Sequence, residues 1–256
     1  MAIRMATGMI TTMTTVTIIT ITMRTAMAET VADAAGVYRL MTWLTASFPV
    51  GAFSYSHGLE WGVEDGTIRT VDALVAWVDD LLTLGSGWND AVLAAAAWRA
   101  SAAGDWSGLA EVADLAAALT PTAERRLETL SQGRAFAAAI ASAWPCEAVD
   151  RLKAMGGDLA YPVAVGAVAA GHGLGLPATL LGYLHGFVGN LVSAALRLVP
   201  LGQTDGQRAL ARLEPLVLAT AGRAAPSTLD DLGGAAWVAD IASMNHETQY
   251  TRLFRS

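Results

Sequence analysis

The residues able to do chemistry are few and widely spaced. Four histidines stand at His57, His172, His185 and His246, and Cys146 is the single cysteine. No two histidines are four residues apart, the spacing that sets two ligands on one helical face, so no metal site is expected. A lone cysteine permits neither an internal disulfide nor a thiolate cluster, which is compatible with a reducing compartment. His246-Glu247 is followed by Thr248-Gln249-Tyr250 rather than by the second histidine of a metalloprotease helix. Lys153 is the only lysine, and it lies outside any Gly-x-x-x-x-Gly-Lys-Ser/Thr run that would wrap a triphosphate. Gly171-His172-Gly173-Leu174-Gly175 lacks the glycine spacing of a dinucleotide loop and reads as a helix terminus. No Gly-x-Ser-x-Gly elbow occurs. The chain is therefore expected to carry no catalytic residues, no cofactor and no resident metal. A dispersed enzyme site around His57 and His185 remains a rival reading.

Composition narrows the partners. The 256 residues are 54% hydrophobic and only 15% charged, well below the usual share of charge. So much apolar surface must be hidden in a core, a subunit interface or lipid. The formal net charge of −7, with no basic cluster, argues against a nucleic-acid groove.

Helical spacing dominates from Asp33 onward. Val71, Leu74, Val75, Val78, Leu81 and Leu82 fall on one stripe, with Thr70 placed to cap it. Asn89 is expected to cap a helix over Ala91–Ala102, and Asp105 another to about Leu119. Thr120-Pro121 reads as a cap followed by proline at the first helical position of a helix ending near Trp144. Alternating strand patterns are absent. The expectation is an all-α, single-domain bundle of about ten helices. Residues 1–27, rich in Thr, Met and Ile, read as a disordered or non-native extension, with Met27 as the working start. Residues 28–240 read as the helical domain and 241–256 as a partner-binding tail.

From Leu159 to Leu196 there is no Asp, Glu, Lys or Arg. Two apolar segments, Tyr161–Leu174 and Ala178–Leu198, flank Gly175-Leu176-Pro177. The second approaches the length that spans a bilayer, so a membrane-associated helical protein is the alternative. His185, Asn190 and Ser193 within it, and the lack of a basic flank, favour a central helix pair of a bundle. Gly182, Gly186 and Gly189 suit close helix packing.

Three segments are odd in composition. In the first, Phe48-Pro49-Val50-Gly51 reads as a turn and Ala52–Glu60 as the start of a helix crowded with aromatics. In the second, Arg197 suits a helix C-terminus, Pro200 and Gly202 stop that helix, and Gln203 and Gln207 lie one turn apart. Core packing or capping explains these two segments as well as contact does. The third is His246–Ser256, which carries Tyr250, Leu253, Phe254, Arg252 and Arg255 where a polar end is usual. Ordering its last five residues costs about 5–10 kcal/mol. Burial of Leu253 and Phe254 returns about 3–6 kcal/mol, and charge-assisted bonds from the two arginines about 1.5–3 kcal/mol each. Order in this tail thus requires both a pocket and carboxylates, from a partner or from its own domain.

These segments resemble, in order and in wording, the urease accessory protein F family. Ser47–Glu60 is similar to its N-terminal signature, and Tyr161-Pro162-Val163-Ala164-Val165-Gly166 to its Pro-Val-x-x-Gly motif. Arg197–Gln207 resembles its Arg-Leu-x-Pro-Leu-Gly-Gln run, and Arg252–Ser256 its Arg-Leu-Phe-Arg-Ser ending. The resemblance covers roughly residues 38–256, leaving out residues 1–27 and the alanine-rich Ala91–Ala118. It implies an all-α fold, a cytoplasmic homodimer and a non-enzymatic chaperone that inserts nickel into apo-urease. In that picture the chain joins the D/H-type accessory protein to the G-type GTPase and couples GTP hydrolysis to metal delivery. By analogy, Tyr250, Arg252, Leu253, Phe254, Arg255 and Ser256 would meet the D/H-type partner. Tyr55, His57, Gln203 and Gln207 are further contact candidates. Gly182, Gly186, Gly189 and Tyr183 would serve core and dimer interface.

Overall fold

The start signals written in the chain place most of its helices. The Thr70 hydroxyl accepts from the Ala73 amide at 3.2 Å and opens α2. Asp105 accepts from the Gly108 amide at 2.9 Å and opens α4. Proline in the first turn opens both apolar helices, α7 and α8. The computed structural model describes residues 34–256. Residues 34–41 are helical and belong to a unit separate from the rest. The second unit, Thr42–Ser256, carries the rest. Its helices are α1 Leu59–Glu64, α2 Val71–Leu84, α3 Ser86–Ala103, α4 Trp106–Ala118 and α5 Ala123–Ala143. They continue with α6 Glu147–Met155, α7 Tyr161–Gly171, α8 Leu176–Leu198, α9 Gln203–Ala224 and α10 Trp237–His246. No strand occurs among the described residues, so the all-α expectation and its helix number hold. The expectation for residues 1–27 lies outside the described residues.

The centre is α7. Every residue from Pro162 to Ala169 is buried, so the helix is apolar on all sides because it has neighbours on all sides. It packs most closely on α3, and α5, α6 and α8 close around it. A Cβ on Gly166 would collide with the Ala94 backbone, so glycine is what lets α3 and α7 approach. Leu176–Leu198 is, among the described residues, the one helix long and apolar enough to cross a membrane, yet half of that stretch is buried inside the fold.

Three local expectations fail. Ser86–Ala103 begins earlier than Asn89 predicts, and the Asn89 side chain instead accepts from the Gly233 amide at 3.0 Å. Thr122, not Thr120, caps α5, its hydroxyl accepting from the Arg125 amide at 3.1 Å. Residues 52–60 are not one helix: a 3-10 turn at Ala52–Ser54 gives way to extended Tyr55, and α1 begins only at Leu59. His57 (φ 62°) and Gly58 (φ 76°), both left-handed, make that break.

Candidate functional site

The break at residues 57–58 brings Glu60 inward. Gly58 sits so close to α10 that a Cβ there would lie 2.9 Å from the Ser243 nitrogen. His57 holds a left-handed backbone at a cost of order 1–3 kcal/mol, a conformation that persists only where its surroundings enforce it. Glu60 is thereby buried beside the end of α10 and the tail. Its two carboxylate oxygens accept from the backbone amides of Leu253, at 2.7 Å, and Phe254, at 2.9 Å. His246 Nε2 lies 3.0 Å from the same carboxylate.

Helix α5 supplies the other half. Glu124 and Glu128 are one turn apart, face the same way, and are both buried. Glu124 meets His246 Nδ1 at 2.7 Å and accepts from Arg252 Nη1 at 2.9 Å. The completely buried His246 ring therefore spans two carboxylates from different helices. Glu128 accepts from the Ser256 hydroxyl at 2.9 Å and pairs with Arg125. The segment around Arg255 and Ser256 completes the dock. The Arg255 amide donates to the Ser54 carbonyl at 2.8 Å, and the Ser56 amide to the Ser256 carbonyl at 2.7 Å. Phe254 is buried with the Arg197 guanidinium 4.2 Å from its ring centre, and the same guanidinium lies 3.7 Å from the Phe53 ring.

Electrostatics follow from this burial. For Glu128, burial opposes the charge, but Arg125, His57 and the Ser256 hydroxyl outweigh it and bring the carboxyl down to about 2. Burial, with Arg125 beside it, lowers His57 to about 4, so the ring is neutral at physiological pH. His57 Nδ1 lies 3.6 Å from Glu128, and Nε2 meets the Ser86 hydroxyl. A cavity of about 270 Å³ borders this group and is lined by His57, Asp90, Arg125, Glu128 and Tyr183, among others. Burial raises Asp90 to about 6, although Arg125 and the Tyr183 hydroxyl, which donates to it at 2.7 Å, pull the other way. Burial and the Asp90 charge push Tyr183 well above the usual phenol range. Among the described residues no group of three or more His, Cys, Asp or Glu is placed to hold a metal ion.

The residues singled out by sequence separate into groups. Phe254 and Ser256 turn inward onto Arg197 and Glu128, Arg252 reaches Glu124 from the exposed rim, and Leu253, Arg255 and Tyr250 are exposed. Tyr55 and His57 are buried beside the tail. Gln203 and Gln207 are exposed and share a groove of about 250 Å³ between α8 and α9 with Gly189 and Arg197. Gly186 packs on its own chain, where a Cβ would lie 3.0 Å from the Leu44 carbonyl oxygen, while a Cβ on Gly189 would meet nothing within 4 Å. Tyr183 is core, and Gly182 is half-buried.

Sequence reasoning missed Glu124, Arg125 and Glu128 as a group. The readable signal was two glutamates one turn apart beside an arginine, in a chain with little charge. It also missed α10. That helix turns Ala239, Ala242, Ser243 and His246 inward, and leaves Trp237, Val238, Ile241 and Met244 between 49% and 66% exposed. The helix thus keeps its small residues inside and presents its large apolar ones to solvent.

Comparison with known proteins identifies the family. The family model described as UreF matches residues 68–214, more than half of the chain. The urease accessory protein UreF of Rhodopseudomonas palustris (strain TIE-1) is 56% identical over 225 residues, covering 88% of this chain and 94% of that protein. The urease accessory protein UreF of Bradyrhizobium diazoefficiens is 55% identical over 225 residues, covering 88% and 93%. On this similarity along most of its length, the chain belongs to the UreF family of urease accessory proteins, which take part in urease maturation.

Proposed function

We propose that this protein is a cytoplasmic, non-enzymatic scaffold that works as a homodimer. It joins a D/H-type accessory protein to a G-type GTPase and couples GTP hydrolysis to insertion of nickel into apo-urease. Nickel in this reading is cargo. The observation that carries the proposal is the inverted face of α10, where Trp237, Val238, Ile241 and Met244 stay in solvent, as Leu253 and Tyr250 do in the tail that follows. Large apolar side chains gathered in this way are what a partner desolvates at the centre of an interface. The D/H-type protein is the occupant this reading assigns, since the resemblance of the adjoining tail to the family's ending supports that contact. Gln203 and Gln207, in the α8–α9 groove, are assigned to a second contact.

Co-purification with the D/H-type partner tests the reading. The variants Trp237→Ala and Ile241→Asp should each lose most of the complex, as should deletion of Arg252–Ser256. Complex recovered in full from Ile241→Asp would remove α10 from the interface. Reconstituted urease activation, with and without this chain, tests the wider role.

A further inference from the structure

We infer that the bridge Glu60–His246–Glu124 positions the partner face of α10, so that three buried residues out of the partner's reach set how tightly the partner is held. The inference rests on the contact proposed for α10.

The donors to these carboxylates carry the argument. Among the described residues, every hydrogen-bond partner of the Glu60 carboxylate comes from residues 246–254, namely the His246 ring and the amides of Leu253 and Phe254. Both partners of the Glu124 carboxylate side chain, the His246 ring and the Arg252 guanidinium, come from the same end of the chain. Both carboxylates are buried, and a buried carboxylate stripped of its donors is strongly disfavoured. The tail and the end of α10 therefore dock together or leave together.

Apolar packing alone holds α10 weakly. Its buried face offers Ala239, Ala242 and Ser243, small side chains with little area to remove from water. Polar links fix its position instead. The Ser243 hydroxyl is 2.8 Å from that of Thr122, Glu247 accepts from the Ala123 amide at 3.2 Å, and the His246 ring spans Glu60 and Glu124. Gly58 is the gap through which α10 comes close enough for these links. A face held in its bound geometry spares the partner the entropy of ordering it. Arg252, Phe254 and Ser256 act in this way too, as positioning residues, while Leu253 and the outer side chains of α10 make the contact.

The test uses the full chain with its D/H-type partner and three isosteric variants, Glu60→Gln, Glu124→Gln and His246→Gln. Amide hydrogen exchange in the free chain should quicken about tenfold or more at Leu253, Phe254 and α10, with α3 and α7 unchanged. Affinity for the partner should fall about tenfold. Adding Glu124→Gln to Ile241→Asp should cost little beyond Ile241→Asp alone, because the bridge acts only through the face. Should a bridge variant fail to fold, Arg252→Gln at the exposed rim takes its place, with a smaller change in the same direction. Unchanged exchange at Leu253 and Phe254 would overturn the inference, since the bridge would not hold the segment. Quickened exchange with unchanged affinity would overturn it as well. Unchanged affinity in Ile241→Asp defeats the contact reading itself and removes the partner half of the inference. Exchange at Leu253 and Phe254 then still decides whether the bridge orders the segment.

Discussion

Two regions of this protein solve the same problem, holding helices together, by opposite means. Around α7 the solution is apolar. Val163, Val165 and Val168 are buried with no charge nearby in sequence, and Gly166 brings the backbones of α3 and α7 together. Around α10 the solution is polar. Alanines and a serine give the helix little to bury, and a histidine between two glutamates supplies the hold. The first arrangement is non-directional and additive over many contacts. The second depends on a few bonds with strict geometry, so it can be released as a unit while the rest of the fold stays intact. If the protein is the scaffold proposed, its changeable surface is expected on the second kind of support.

Substitutions break this contrast in graded ways. Gly166→Val should be the most severe, because a branched side chain would drive α7 off Ala94; loss of the soluble folded chain in a thermal melt is the expected outcome. Phe136→Ala, in the apolar core, should cost about 3–5 kcal/mol of global stability by denaturant titration. Phe254→Ala removes a ring equally well buried, but should cost only about 1–2 kcal/mol globally, because the tail undocks before the core opens. Equal costs at the two phenylalanines would erase the distinction drawn between the regions.

The pH dependence sharpens it further. His57 is held down to about 4, so the unfolded chain binds more protons below its usual value near 6.5, and this group makes stability rise between pH 4 and 6.5. Asp90 is held up to about 6, so the folded chain binds more protons, and this group makes stability fall between pH 4 and 6. The two oppose one another, and the native profile should be shallow there. Asp90→Asn leaves the His57 contribution alone. It should gain about 1–2 kcal/mol at pH 7 and turn the pH 4–6.5 limb into a clear rise, read from denaturation midpoints. Below pH 4.5 both proteins should lose stability as Glu128, held at about 2, takes up its proton. The smallest effects are at caps. Thr70→Ala should cost about 1 kcal/mol. Thr122→Ala should cost more, since its hydroxyl also meets Ser243 across the α10 dock.

Much of the first region was readable from residue types. The uncharged run, its two prolines and the Thr70 and Asp105 caps place α7, α8, α2 and α4 directly, because those signals act within a few residues of themselves. The failures share a cause. Thr120 and Thr122 are both competent caps, and contact with Ser243, distant in sequence, favours Thr122. Asn89 looks like a cap, but the Gly233 amide takes its side chain. Residues 52–60 look helical until α10 requires a left-handed turn at His57 and Gly58 to admit it.

The energetic account of the tail shows the same division. Sequence alone established that Arg252–Ser256 needs a pocket and carboxylates, because the cost of ordering and the value of Phe254 and the arginines are local properties. It also established an all-α chain with sparse chemistry, since periodicity and residue inventory require no contacts. Tertiary structure decided where the carboxylates come from. Glu60 and Glu124, 64 positions apart, meet His246 only because α1, α5 and α10 converge. No local pattern encodes that meeting, since a buried polar bridge is specified by the distances between helices rather than by the residues along any one of them.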